Sequence, residues 1–271
     1  MILRVLAVVV AILVLLIVIV VLAQRRLLYP VRYKNRDKPS PTATRRILYR
    51  DIDGGRVEAW LLLPGNAIPK GLIVHAHGNG EILDMIESGF LHYCTDEGYA
   101  VLMPEYRGYS RSQGDPTLDN IMDDFTYFLG EALKLYPDLK DKTVYHGRSL
   151  GGGVVAEFAR RIRPRGIVLE STFTSVGDVA HELFMMPRAW VWDDYSPETL
   201  LRSFDGPVLI IHGRQDEVIP YHLAERNLAS AKHARLVTFD GLHNDTMSRN
   251  LKAYRMALKD FLSSLTTAKA E

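Results

Sequence analysis

Ser149 is the residue of this sequence best suited to covalent chemistry, because it lies at the centre of the segment G-R-S-L-G at residues 147–151. This G-x-S-x-G pattern follows a predicted strand at 142–146 and precedes a predicted helix at 152–163. A sharp turn between a strand and a helix exposes a serine hydroxyl as a nucleophile. The alternatives are a serine in a Gly-rich turn that only permits tight packing, and a phosphate-binding loop, whose glycine patterns are absent.

A serine hydroxyl attacks a carbonyl only when a base accepts its proton and a third group orients that base. Behind such a turn, the chain order is serine, then acid, then histidine. We predict that His243, in the loop after the last predicted strand, is the base and that Asp216, in the loop before it, is the acid. Glu217 and Glu170 are alternative acids. The other downstream histidines, which we interpret as packing or surface residues, are His181, His212, His222 and His233.

Acyl transfer also needs hydrogen-bond donors where negative charge develops on the carbonyl oxygen. We predict the backbone N–H groups of Leu150, which follows the nucleophile, and of Asn79, in the segment H-G-N-G after an earlier strand. His75 and His77 point to the same side of that strand and could suggest a metal site. Because no further ligand lies at metal spacing and no H-E-x-x-H pattern occurs, the sequence predicts no metal.

The N-terminal segment predicts a membrane anchor. Residues 5–23 are 19 consecutive apolar residues without Gly or Pro. A helix of that length extends about 28 Å, close to the thickness of a bilayer's hydrocarbon core. We assign residues 1–26 to a transmembrane anchor and 27–45 to an interfacial segment and tether, with Tyr29 and Tyr33 at the lipid surface. A signal peptide cleaved near Ala23 is the alternative, which the length of the apolar run disfavours.

Charge and cysteine content limit the remaining classes. Basic residues after the apolar run outnumber those before it, so the positive-inside rule predicts a cytoplasmic catalytic domain; they are Arg25, Arg26, Arg32, Lys34, Arg36 and Lys38. A secreted or periplasmic domain would follow from signal cleavage. The net charge of +1 argues against a nucleic-acid binder. The single cysteine, Cys94, excludes an intramolecular disulfide and is predicted to be a packing residue.

Strands alternate with helices along the chain after the tether, which predicts an α/β fold with a mostly parallel sheet and helices on both faces. The predicted strands are 56–63, 71–76, 100–104, 142–146, 166–170, 207–212 and 235–239, and the predicted helices are 81–97, 117–136, 152–163, 221–231 and 245–265. Such sheets carry their chemistry at the carboxyl ends of the strands. Ser149, Asp216 and His243 all follow strands in this way.

The catalytic domain is predicted to span residues 46–271, with a small cap within about 174–204. The cap segment is rich in large apolar side chains, namely Phe184, Met185, Met186, Trp190 and Trp192. Four of them, Phe184, Met185, Trp190 and Trp192, are the candidate substrate-binding residues. The cluster could bind the acyl chain of a substrate or form the core of the cap, and the sequence does not separate these two possibilities.

Six motifs, in order along the chain, resemble the α/β-hydrolase superfamily. They are L-L-Y-P at 27–30, H-G-N at 77–79, Y-R-G-Y-S at 106–110, G-R-S-L-G-G at 147–152, E-S-T-F-T at 170–174, and H-G at 212–213 followed by Asp216 and Pro220. The chain is similar to the single-pass membrane group that includes eukaryotic α/β-hydrolase-domain lipases and protein depalmitoylases. That resemblance implies hydrolysis of a small-molecule or lipid ester or thioester, without a cofactor. An acyltransferase or peptidase on the same triad, or a membrane-tethered binding protein without catalysis, remains an alternative.

Overall fold

The computed structural model describes residues 2–30, 42–65, 67–86 and 90–267. Within these ranges one sheet holds eight strands, β1 (Arg45–Ile52), β2 (Gly55–Leu62), β3 (Gly71–Ala76), β4 (Tyr99–Pro104), β5 (Thr143–Arg148), β6 (Gly166–Glu170), β7 (Val208–Gly213) and β8 (Ala234–Phe239). Their spatial order is β1-β2-β4-β3-β5-β6-β7-β8. Strands β3 to β8 run parallel, and only the pairs β1–β2 and β2–β4 are antiparallel. The predicted mostly parallel sheet is confirmed.

The strand β1 was not predicted, although the sequence contains a signal for it. It forms a hairpin with β2 through the two-residue loop Asp53-Gly54, where Gly54 has a φ of +82°. An Asp-Gly pair is a preferred two-residue hairpin turn, because glycine readily adopts a positive φ. This hairpin extends the sheet at the edge opposite β8.

Helices cover both faces of the sheet, as predicted. They are α1 (Ile2–Leu28), α2 (Leu83–Ile86), α3 (Phe90–Asp96), α4 (Leu118–Leu135), α5 (Leu150–Arg161), α6 (Val176–Phe184), α7 (Pro197–Leu201), α8 (Tyr221–Ser230), α9 (Thr246–Arg249) and α10 (Leu251–Thr267). On one face, α4, α5 and α8 contribute Phe128, Phe158 and Leu223 to the larger core cluster. On the other, Cys94 of α3 and Leu258 of α10 belong to a second cluster. Cys94 is therefore a packing residue, as predicted.

Two predicted helices are each divided in the structure. The predicted helix at 81–97 corresponds to α2 and α3, and residues 87–89 between them lie outside the described residues. The predicted helix at 245–265 corresponds to α9 and α10, with Asn250 between them. The Asn250 side chain donates hydrogen bonds to the carbonyls of Asp240 (2.8 Å) and Thr246 (2.9 Å). Asparagine side chains that bond nearby backbone groups in this way compete with helix continuation.

Helix α1 is long and apolar enough to cross a membrane, by length and composition, over Arg4–Leu28. Its apolar side chains between Val5 and Ile19 that the structure describes are mostly exposed. Tyr29, placed by the sequence in an interfacial collar, instead lies in the core at 2% exposure, with its hydroxyl 2.8 Å from that of Tyr195. A buried tyrosine is stabilised when its hydroxyl has a hydrogen-bond partner and its ring packs against apolar side chains, which favours the core over the membrane interface for Tyr29. Tyr33 and most of the predicted tether lie outside the described residues.

Candidate active site

Ser149 occupies a strained turn between β5 and α5. Its φ of 53° and ψ of −120° are unusual for a residue with a side chain, and such strain persists only where the surroundings hold it. The turn is tight because a Cβ at residue 147 would lie 2.1 Å from the Gly151 carbonyl oxygen, and one at residue 151 would lie 2.0 Å from the Ala76 carbonyl oxygen. Only glycine fits at Gly147 and Gly151, so the G-x-S-x-G spacing follows from sterics.

The side chains of Ser149, His243 and Asp216 form a continuous hydrogen-bonded row. His243 Nε2 lies 3.1 Å from Ser149 Oγ, and His243 Nδ1 lies 3.0 and 2.9 Å from the two Asp216 carboxylate oxygens. The three residues come from the loops after β5, β8 and β7. Because these strands are parallel, their carboxyl ends meet at one edge of the sheet. The structure thus brings together the three residues predicted from the sequence, and all three are buried.

Asp216 is held in its charged form by several donors. The N–H groups of Val218 and Ile219 donate to Asp216 Oδ1 at 3.0 and 2.7 Å. Burial alone would raise the pKa of Asp216, but His212, His243 and the Ile219 N–H outweigh burial and hold the pKa below its usual range. His212, interpreted as a packing residue, has its Nε2 within 3.3 Å of Asp216 Oδ2. A buried, ionised carboxylate orients the imidazole and stabilises its protonated form.

Asp216 bonds the His243 ring, whereas the two alternative acids, Glu217 and Glu170, bond other groups. Glu217 accepts the backbone N–H of His243 at 3.0 Å and so holds the loop. Glu170 Oε2 instead lies 3.2 Å from His146 Nε2 and accepts the Tyr254 hydroxyl at 2.5 Å. The two carboxylates therefore support the site without occupying the position of the acid.

Arg148, whose role the sequence did not predict, connects three loops around the site. Its guanidinium donates to the His243 carbonyl at 3.1 Å, to Asn244 Oδ1 at 2.8 Å and to Glu81 Oε1 at 2.5 Å. Glu81 in turn accepts the Gly78 N–H at 2.7 Å. A charged residue next to the nucleophile was visible in the motif, but its partners are remote in sequence and could not be read from it.

The loop that carries Asn79 is fixed by His77. His77 Nε2 lies 2.8 Å from Glu105 Oε1, and His77 Nδ1 lies 2.8 Å from the Gly78 carbonyl oxygen. Burial would lower the pKa of His77, but the Glu105 carboxylate outweighs it and raises the pKa. An imidazolium can donate from both ring nitrogens at once. Because the peptide bond between Gly78 and Asn79 is trans, the Gly78 carbonyl oxygen faces His77 and the Asn79 N–H points in the opposite direction.

A cavity of about 800 Å³ opens above Ser149. Asn79 and Leu150, whose N–H groups are the predicted oxyanion donors, line it together with Ser149 and His243. Among the described residues, no group of three or more His, Cys, Asp or Glu side chains is arranged to hold a metal ion. The site therefore holds a serine hydroxyl, an imidazole, a carboxylate and nearby backbone N–H groups, which are the kinds of group that an acyl-transfer reaction uses.

The four predicted substrate-binding residues of the cap take different positions. Phe184 lines the cavity, but Met185 is 84% exposed and does not. Trp190 and Trp192 are also about half exposed, at 44% and 50%, and lie outside the cavity lining. Helix α6 ends at Phe184, and Met185 caps it in a left-handed conformation. Met186 lines the cavity in its place, as do residues of α1 that the sequence did not suggest.

Residues 67–202 match the family model described as serine aminopeptidase, S33. The match is half of the chain; it includes Asn79 and Ser149 but ends before Asp216 and His243. The assignment of the acid and the base therefore depends on the geometry described above.

Three relatives are similar to this chain over most of its length. The uncharacterised protein YfhR of Escherichia coli (strain K12) is 29% identical over 237 residues, 83% of each chain. The uncharacterised membrane protein YNL320W of Saccharomyces cerevisiae is 26% identical over 257 residues, 88% of each chain. The lysophosphatidylserine lipase ABHD12 of Xenopus tropicalis is 28% identical over 254 residues, 80% of this chain and 64% of the lipase.

Among solved structures, Est1E of Butyrivibrio proteoclasticus with bound ferulic acid superposes with a TM-score of 0.66. The sequence identity is 23%, and the match covers 81% of this chain and 99% of Est1E. This likeness shows that the two chains share the α/β-hydrolase fold.

Proposed function

Because the chain belongs to the S33 family of α/β hydrolases, we propose that it hydrolyses carboxylic esters or thioesters through Ser149, His243 and Asp216. The observation that carries the proposal is the hydrogen-bonded row in which Ser149 Oγ lies 3.1 Å from His243 Nε2 and Asp216 lies 2.9 Å from His243 Nδ1. A serine with a neighbouring, oriented base is an activated nucleophile.

In the first half of the reaction, His243 Nε2 accepts the proton of Ser149 as Oγ attacks the carbonyl carbon of the substrate. Asp216 stabilises the imidazolium that forms. The N–H groups of Leu150 and Asn79 donate to the oxyanion of the tetrahedral intermediate. His243 then protonates the departing alkoxide or thiolate, and the acyl group stays on Ser149.

In the second half, a water molecule takes the position of the leaving group. His243 accepts a proton from this water, which attacks the acyl carbon. The second tetrahedral intermediate uses the same donors as the first, and its collapse returns the proton to Ser149 Oγ and releases the acid. The reaction needs no cofactor, since every proton moves through His243.

A peptidase is the second candidate, because the description of the matched family names an aminopeptidase. An aminopeptidase needs a carboxylate to bind the substrate's free amino group. Two carboxylates line the cavity, but Glu81 is paired with Arg148 at 2.5 Å and Asp193 with Arg25 at 3.0 Å. With both charges already neutralised, and with a mainly apolar lining elsewhere, the cavity suits an acyl chain better than an ammonium group.

We also propose that α1 anchors the enzyme in a membrane with the catalytic domain on the cytoplasmic side. The support is the length and apolar composition of α1 and the excess of basic residues after it. Retention of the full-length protein in membranes after alkaline extraction is expected. Release of a shortened chain into the soluble fraction would instead indicate a cleaved signal peptide.

The catalytic proposal is tested with purified full-length protein, its Ser149→Ala variant and the exposed-site control Ser203→Ala. The substrates are p-nitrophenyl esters, acyl thioesters and aminoacyl p-nitroanilides. We expect Ser149→Ala to lose fluorophosphonate labelling and at least about 10³-fold in ester hydrolysis, while Ser203→Ala keeps both. Unchanged ester hydrolysis by Ser149→Ala would exclude the proposed mechanism, and cleavage of only the p-nitroanilides would favour the peptidase.

A further inference from the structure

The C-terminal end of the apolar helix α1 forms part of the cavity that holds Ser149. The α1 residues that line this cavity are Val20, Gln24, Arg25, Leu27 and Leu28. The cap contributes Val176, Val179, Ala180, Phe184 and Met186 to the same cavity. The cavity is thus enclosed between a helix long enough to cross a membrane and the cap over the nucleophile.

Hydrogen bonds hold this end of α1 against the cap. The Gln24 amide donates to the Trp190 carbonyl at 3.1 Å and accepts the Trp192 N–H at 2.7 Å. Arg25 Nε lies 3.0 Å from Asp193, which is buried, and the Arg25 guanidinium lies 5.6 Å from the centre of the Trp192 ring. One side chain satisfying two backbone groups, beside a partly buried ion pair, fixes the position of the helix end. The end of α1 is therefore a fixed wall of the cavity.

The wall is continuous with the surface that lipid would contact. Val20 belongs both to the cavity lining and to the apolar run at residues 5–23. From Val20 to Leu28 the helix rises about 12 Å, which spans two turns of cavity wall. Large apolar side chains around this end of the domain are also exposed, namely Leu27, Phe184, Met185, Trp190, Trp192 and Val218. Tryptophan is enriched where a protein meets the membrane interface.

We infer that α1 is both anchor and substrate-binding wall, and that the substrate is a bilayer lipid whose acyl chain enters the cavity along Val20 and Leu27. The inference rests on the proposed function, since it uses Ser149 as the nucleophile. A lipid chain that moves from the bilayer into the cavity along apolar side chains does not expose its surface to water. It therefore avoids a large free-energy cost of leaving the membrane. The bound substrate is a lipid of the membrane that α1 spans. Val20 limits the length of the acyl chain that the cavity accepts.

The test uses full-length protein in nanodiscs and compares Val20→Trp with Leu22→Trp. Leu22 lies at the same depth on the opposite side of α1 and is 67% exposed, which makes it a matched control. Since a pocket clash discriminates by roughly tenfold or more, Val20→Trp is expected to lower kcat/KM for long-chain lipid esters by at least about tenfold. It should change p-nitrophenyl butyrate hydrolysis less than about twofold, and Leu22→Trp should change neither.

Two outcomes would count against this role of Val20. Equal loss on long and short esters, or no loss on long ones, would overturn the role of Val20. The Ser149 chemistry is judged separately, by whether Ser149→Ala abolishes butyrate hydrolysis in the protein with wild-type Val20. A Val20→Ala variant gives the reverse check, since a wider wall should raise the relative rate on longer chains.

The route is tested by placing the lipid ester in the enzyme's own nanodiscs or in separate vesicles. Hydrolysis that is much faster for lipid in the same nanodisc supports entry from the bilayer. Equal rates for both placements would show that the substrate arrives through water, and would overturn the route.

Discussion

The cavity has two sides that are built differently. On one side, which we call the floor, Ser149, His243 and Asp216 are buried and joined by short hydrogen bonds, and the half-buried Asn79 loop is tied to them through Glu81 and Arg148. On the other side, which we call the outer wall, α1 and the cap present apolar side chains, several of which are exposed. The floor positions reacting atoms and tolerates little movement, whereas the outer wall only has to exclude water and match an apolar chain. Changes to the floor should alter the chemical step, and changes to the outer wall should alter the choice of substrate.

The largest effect beyond loss of the nucleophile is expected from Asp216→Asn. An amide keeps the shape of the side chain but removes the charge that stabilises the His243 imidazolium and selects its tautomer. We expect kcat to fall by about 10⁴-fold with little change in KM. Steady-state kinetics on p-nitrophenyl butyrate measure kcat and KM of the variant and of the wild type.

Glu217→Gln is the matched control for that prediction, because the neighbouring carboxylate accepts only the backbone N–H of His243. It should cost less than about tenfold, since an amide oxygen can still accept this bond. An equal loss of kcat in both variants would mean that Asp216 is not the acid that orients His243.

A smaller effect is expected at the outer wall, from Gln24→Ala. This variant removes both hydrogen bonds between α1 and the cap, each worth about 1 kcal/mol. The helix end and the cap then move apart, so kcat/KM for long-chain esters should fall severalfold while the rate on butyrate stays the same. Arg26→Gln, an exposed position in the same helical turn, should leave both unchanged. A loss on butyrate as large as that on long chains would show that the outer wall also controls the chemistry.

The smallest effect concerns pH and the floor. Because the pKa of His77 is raised by Glu105, its charged form contributes stability that is fully present below the unfolded-state pKa of about 6.5 and is lost as pH rises through the folded-state pKa. The advantage in Tm of the wild type over His77→Gln should therefore shrink as pH rises from 6 to 9. Thermal unfolding of the two proteins in one detergent checks this. An advantage that stays constant over this range would contradict a charged His77.

Much of the floor was predictable from the sequence, and the reason lies in local geometry. The turn at Ser149 needs glycines at 147 and 151 because neighbouring backbone leaves no room for a Cβ. This requirement produces a pattern that is recognisable in a segment of five residues. The order of the loops that carry Asp216 and His243 follows from alternating strands and helices, which a linear pattern records. By contrast, the hairpin β1 was overlooked although its Asp-Gly turn was in the sequence.

The outer wall and the supports of the floor depended on the tertiary structure. Arg148 and Glu81 are 67 residues apart, and the His77–Glu105 pair joins two different strand ends. The sequence predicted four cap residues for substrate, but Met185, Trp190 and Trp192 lie outside the cavity lining, whereas the end of α1 lines the cavity.

By itself, the sequence determined the kind of fold, the turn at Ser149 and the order of Ser149, Asp216 and His243, because each depends on neighbours within a few positions or on the period of an element. Only the tertiary structure decided which carboxylate meets His243, what holds the loops in place, and that the end of α1 becomes a wall of the cavity. Those contacts join segments far apart in the chain, and their energies exist only once the elements have packed together.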